Sequence, residues 1–127
     1  MIIILVAVKD ELEKKDLPRF QVEYTGVGKV NAAYRTIEII NEFSPSLIIN
    51  FGTAGALKKE INGLVEVKRF FQRDMDATPL GFELGQTPFE NINEISISKE
   101  GLSCGTGDTF VTEPPKITIQ SYINYNL

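Results

Sequence analysis

The chain contains no histidine and a single cysteine, so acid–base chemistry falls to its carboxylates, lysines and tyrosines. Ser-His-Asp and Cys-His relays and histidine-ligated metals are excluded. Cys104 alone can neither close an internal disulfide nor build a structural zinc site, and its strand-like surroundings suit an inert buried thiol. Glu11 stands just past the apolar run that ends at Val8, at the edge where open α/β sheets gather acid–base groups. It also belongs to the run Lys9 to Asp16, whose four carboxylates suit a solvated face. Gly26-Val27-Gly28-Lys29 could cradle an anion at a helix N-terminus. It lacks the upstream glycine and the serine or threonine after the lysine that a Walker loop needs, and a tight strand-to-helix turn explains the same glycines. Asp74 and Asp76 share a face if their segment is extended, where like charges would raise one pKa. No third ligand stands nearby, so no metal is expected. Asp108, within Gly105-Thr106-Gly107-Asp108-Thr109-Phe110, reads as an Asx-turn or cap residue, and Phe110 by default as packing.

The elements that must position these groups follow an α/β pattern. Residues 2–8 (IIILVAV) look like a strand covered on both faces, and Phe20, Val22 and Tyr24 alternate with polar residues as a second strand. Val30, Ala33, Tyr34, Ile37 and Ile40 recur at three- and four-residue spacing, which predicts a helix over 29–43 with those residues on one face. Ser44-Pro45-Ser46 ends it, and 47–51 (LIINF) predicts the next buried strand, completing a βαβ unit. Gly52-Thr53-Ala54-Gly55-Ala56 then reads as a small-residue loop at the carboxyl end of that strand. Further strands are expected at 64–71, around Ile95 and Ile97, and at 102–104, with a long ordered loop over 72–94. The stretch from Pro114 onward shows no strong pattern, and no linker or internal repeat is evident.

Composition narrows the function classes. With 43% hydrophobic and 24% charged residues, the 127-residue chain reads as one ordinary globular domain able to bury a core. A net charge of −4 argues against tracking a nucleic-acid backbone, so no nucleic-acid partner is expected. The run at 2–8 is too short to span a bilayer and lacks signal-peptide flanks, giving the expectation of a cytoplasmic protein without membrane contact.

Taken in order, the opening apolar strand leading to Glu11, GVGKVNAA (26–33), INFGTAGAL (49–57), RDMDATPLGFELGQTP (73–88) and GTGDTFV (105–111) resemble the nucleoside phosphorylase and nucleosidase superfamily. The sequence looks most like its methylthioadenosine/S-adenosylhomocysteine nucleosidases, from Met1 to about Pro115. The resemblance implies an α/β fold with a mixed central sheet flanked by helices, a homodimer and no cofactor. It implies hydrolysis of the N-glycosidic bond of an adenine nucleoside, a small-molecule substrate, to adenine and a 5-thio-ribose. By the same resemblance Glu11 polarises the attacking water, Val8 helps line the 5′-thio pocket, and Thr53, Ala54 and Gly55 pass beside the ribose and base. Phe110 and Val111 fall at the purine positions, and Ala77, Leu80 and Pro88 match the segment that a neighbouring subunit adds to the alkylthio pocket.

A physical argument favours hydrolysis over phosphorolysis. Lys9-Asp10-Glu11-Leu12-Glu13 is net negative and has no glycine, so it repels a phosphate dianion, whereas a carboxylate suits water activation. The resemblance also implies a Met-Glu pair gripping the ribose hydroxyls and a later aspartate that protonates the leaving purine. Neither motif follows Glu113, and the segment between Leu12 and Gln21 is short for the family. The expectation is therefore a shortened member, with residues 1–115 as the N-terminal part of the domain and 116–127 as a divergent tail, from a frameshift or early stop. Its alternatives are a nucleoside phosphorylase and a catalytically dead remnant that keeps purine binding or dimerisation.

Overall fold

The structure, a computed structural model, describes residues 1–112 and the backbone of the strand at 122–126. It is α/β, with two sheets and, among the described residues, one α-helix. The chain divides into two compact units, one ending at Thr53 and the other running from Ala54 to Asn126. Their boundary falls inside the small-residue stretch after Phe51, which reads in sequence as a single loop.

The first unit is built around β1 (Ile2–Val6), flanked by β2 (Gln21–Tyr24) and β3 (Leu47–Asn50), all parallel in the order β2-β1-β3. Ile4 of β1 faces Val22 on one side and Ile49 on the other. A central strand has two faces to bury, and the uninterrupted IIILV run supplies both. Ile3 and Leu5 pack with Ile39, Phe43 and Ile48, while Ile4 and Val6 pack with Val22, Leu12, Leu17, Tyr24 and Phe51. The charged run at 9–16 is therefore not all solvated, because Leu12 within it and Leu17 just after it cover one face of the strand.

Helix α1 (Lys29–Phe43) has the predicted boundaries. Gly28 stands at its N-cap with φ of 99°, a backbone state open to glycine, and Ser44 closes it in the left-handed conformation with its N–H donating to Ile40 O. The face it packs is not the periodic one singled out in the sequence. Val30, Tyr34 and Ile37 are 78%, 65% and 60% exposed, whereas Ile39 is fully buried. The reason is a second stripe at helical spacing, Ala32, Arg35, Thr36, Ile39 and Phe43, pinned where Arg35 donates to Glu23 of β2 at 3.1 Å. Ile39→Ala is expected to destabilise the first unit by about 2–5 kcal/mol, the range for truncating a fully packed aliphatic side chain. Urea unfolding followed by circular dichroism measures it, and a loss well under about 1 kcal/mol would contradict this packing.

Glu23 also makes the first unit acid-sensitive. Burial alone would raise its pKa, but hydrogen bonds from Gln21 and Arg35 and the charges of Lys14 and Arg35 outweigh burial and hold the carboxyl below its ordinary value. A carboxylate with a folded pKa below its unfolded one stabilises the fold above the unfolded value, and that contribution is lost as pH falls through the folded one. Acidification from neutrality to below about pH 4 should therefore cost the wild type more stability than Glu23→Gln. Parallel curves of unfolding midpoint against pH would contradict the expectation.

The second unit holds β4 (Ala54–Ala56), β5 (Val67–Gln72), β6 (Ile95–Ser96), β7 (Leu102–Gly107) and β8 (Tyr122–Asn126). They form one mixed sheet in the order β4-β8-β7-β5-β6, with β8-β7 and β7-β5 parallel and the two outer pairings antiparallel. One expectation is corrected: Ala54 to Ala56 form a strand rather than a loop. The stretch near the end, which shows no strong pattern in sequence, contains β8, which lies between β4 and β7. Both owe their extended state to cross-strand pairing between distant segments, which local sequence does not display. Cys104 is fully buried in β7, and the neighbouring buried Ser103 is satisfied by the Arg69 guanidinium. The segment between β5 and β6 is ordered by its own contacts, including Gln72 to Thr87 at 2.9 Å, Asn93 to Glu83 at 2.9 Å and an edge-to-face pair of Phe82 with Phe89.

Candidate active site

In the first unit three chain segments leave the carboxyl edge of one parallel sheet. The ladder continues past the strands, with Thr25 N–H donating to Val6 O and Phe51 N–H to Leu5 O. Strand β1 lies centrally, and the chain crosses from β2 to β3 through α1, so this edge is a topological switch point, where open α/β sheets bind ligands. After β1, the Val8 carbonyl accepts the Glu11 N–H at 3.2 Å, a turn that brings the Glu11 side chain back over the edge.

There Glu11 meets Thr53, 42 residues later. Its Oε1 accepts both the Thr53 N–H at 2.8 Å and the Thr53 hydroxyl at 2.7 Å. Its Oε2 is buried and has no hydrogen-bond partner among the described residues. A buried carboxylate oxygen without a donor is costly, so such a group calls for an explanation beyond folding. One oxygen is anchored and the other remains available to a polar hydrogen. This arrangement can orient and deprotonate a water molecule.

The turn after β2 sits on the same edge. Gly26 N–H donates to Ala7 O, and Asn31 Nδ2 closes the turn on Val27 O at 2.7 Å. The glycines thus serve the strand-to-helix turn, as one of the two sequence readings has it. Val8 is partly exposed at 38%.

The second unit carries the remaining sequence-selected residues. Ala54 and Gly55 are exposed in β4. Phe110 is 81% exposed and Val111 half-buried, which corrects the default reading of Phe110 as packing. Ala77 is buried at the start of a short 3-10 turn, Thr78–Leu80, whereas Leu80 is exposed and Pro88 half-buried. Asp74 and Asp76 do not act as a pair on an extended face. Asp74 lies in a turn and accepts the Asp108 N–H at 2.8 Å, while Asp76 accepts the Thr78 N–H and hydroxyl. Sequence reasoning gave Arg73 no role of its own, although it opens the block at 73–88. Its guanidinium bonds Gly107 and Thr109, a contact created by the β5–β7 pairing and signalled only by the glycines at 105 and 107.

Among the described residues, no cluster of three or more potential metal ligands occurs, and no helix is long and apolar enough to cross a membrane.

Comparison with known proteins agrees with this fold. The model of the phosphorylase superfamily matches residues 19–112. The chain belongs to the phosphorylase superfamily. Among its relatives is the 5′-methylthioadenosine/S-adenosylhomocysteine nucleosidase of Staphylococcus carnosus, 48% identical over 67 residues, which are 50% of this chain and 29% of that protein. The matched stretch thus spans less than a third of the relative's length. The crystal structure of the Campylobacter jejuni enzyme of the same name superposes with a TM-score of 0.75 at 22% identity, covering 88% of this chain and 66% of that one. The Streptococcus pyogenes S-adenosylhomocysteine nucleosidase, solved with 5-methylthiotubericidin, gives 0.70 at 23% identity, covering 87% and 64%.

Proposed function

We propose that this chain takes part in hydrolysing the N-glycosidic bond of an adenine nucleoside, methylthioadenosine or S-adenosylhomocysteine, with Glu11 as the group that activates water. The observation that carries the reading is the Glu11 carboxylate, anchored through one oxygen by Thr53 and buried without a partner at the other. In the reaction a water oxygen bonds to C1′ of the sugar while the C1′–N9 bond breaks. Glu11 takes a proton from that water, the departing purine takes one from solvent, and Glu11 then returns its proton to solvent, so that one water is consumed and neutral adenine leaves. No cofactor enters this scheme.

Thr53 would hold the carboxylate in register, Val8 would line the 5′-substituent side, and Ala54 and Gly55 would pass beside the ribose. Phe110 and Val111 would face the purine, a role that an exposed aromatic ring suits because it can stack on a planar base. We also assign a homodimer in which the segment of Ala77, Leu80 and Pro88 meets the neighbouring copy. The exposed apolar stripe of Val30, Tyr34 and Ile37 supports association, and a monomeric mass at working concentration would contradict it.

The distinguishing experiment is product identity. After incubation with methylthioadenosine and phosphate, mass spectrometry should find adenine with free methylthioribose. Methylthioribose 1-phosphate as the sugar product would move the assignment to a phosphorylase.

A further inference from the structure

In the second unit, the end of β7 and the residues that lead on to Phe110 are tied down by the adjacent residues Arg73 and Asp74. Arg73 donates through Nη1 to Thr109 Oγ1 at 3.0 Å, and through Nη2 to the carbonyls of Gly107, at 3.4 Å, and Thr109. The Arg73 N–H donates to Thr106 O at 2.9 Å, and Asp74 Oδ2 accepts the Asp108 N–H at 2.8 Å. Each residue from Thr106 to Thr109 is thus bonded to this one dipeptide.

The glycines at the end of β7 leave the space the pair occupies. A Cβ on Gly107 would lie 2.9 Å from both Arg73 Cζ and Asp74 Cγ, and one on Gly105 would lie 3.4 Å from Arg73 Cβ. The planar guanidinium holds acceptors on two residues through separate nitrogens in a fixed geometry, which the single nitrogen of a lysine ammonium does not reproduce. The last anchored residue, Thr109, immediately precedes Phe110, whose ring is exposed.

We propose that Arg73 and Asp74 are positioning residues for purine recognition: they fix the backbone of 106–109 so that Phe110 and Val111 are preset for a planar adenine-type base. The proposal rests on the assignment of Phe110 and Val111 to the purine. Neither Arg73 nor Asp74 touches the base in this scheme. A loop held in its binding geometry loses less conformational freedom when ligand arrives, so anchoring appears as affinity.

Adenine is the probe, and equilibrium dialysis against the full chain gives its dissociation constant. Asp74→Ala should weaken binding about tenfold or more, the effect of losing a charge-assisted hydrogen bond. Asp74→Asn keeps an acceptor for the Asp108 N–H and should restore affinity to within about threefold of wild type, a rescue that follows the contact rather than the charge. Arg73→Lys should lose about tenfold with an unchanged urea midpoint, and it decides the matter if Asp74→Ala does not fold. If wild type binds adenine and all three variants bind it equally, the positioning role is overturned while the purine reading stands. If wild type itself binds no adenine, both fall together.

Discussion

Replacing Glu11 by glutamine is expected to slow adenine release about 10²- to 10⁴-fold, the usual contribution of a positioned general base. Glutamine has nearly the same shape and can still accept from Thr53, so the anchoring contacts at 2.8 and 2.7 Å persist while the ability to take a proton from water is lost. The loss should therefore fall on kcat, with the unfolding midpoint near that of wild type. Thr53→Val separates anchoring from proton transfer. It removes the hydroxyl donor but keeps the backbone N–H, so a milder loss of about tenfold is expected. Chromatography of released adenine reads both variants. A Glu11→Gln protein as active as wild type would remove Glu11 from the chemistry.

Gly101→Ala should be the most disruptive small substitution in the second unit, costing roughly 2–5 kcal/mol from backbone strain and steric overlap together. Gly101 holds φ at 118°, and an added Cβ would stand 2.5 Å from the Glu66 carbonyl oxygen and 3.2 Å from Lys68 N. Those atoms belong to the backbone at the start of β5, and Glu66 O also accepts the Leu102 N–H at the start of β7. Relieving the overlap would pull apart the parallel β5–β7 pair. Gly63→Ala is the internal control: its φ is 71° but nothing lies within 4 Å, so it should cost only about 1–2 kcal/mol. Urea unfolding of the two variants separates the effects, and equal losses would show that the close approach to Glu66 is not rigid.

The βαβ unit was legible because its signals are local. IIILV announces a doubly buried strand, and the three- and four-residue recurrence after Gly28 places α1 at its observed limits. The choice of buried face was not legible, since α1 carries two stripes and the packing of Ile39 and Phe43 on β1 and β3, together with the Arg35–Glu23 contact, depends on residues distant in sequence. Strands β4 and β8 escaped for a related reason. Ala54-Gly55-Ala56 has almost no side chain to show alternation, and its partner lies at 123–125.

The candidate site divides the same way. Glu11 could be singled out by type and by its place after a strand. Its bond to Thr53 exists only because β1 pairs in parallel with β3. Likewise the RD and GTGDT segments can be seen in the sequence as separate motifs, but the register Gln72↔Thr106 between β5 and β7 is what sets Arg73 and Asp74 against 106–109.

The central claim is that Glu11 works on water. Its most direct test is to incubate the purified chain with methylthioadenosine in phosphate-free buffer and follow free adenine. Steady adenine release whose rate does not change as phosphate is added is the predicted result. Release that begins only with phosphate, or none in either buffer, would contradict it.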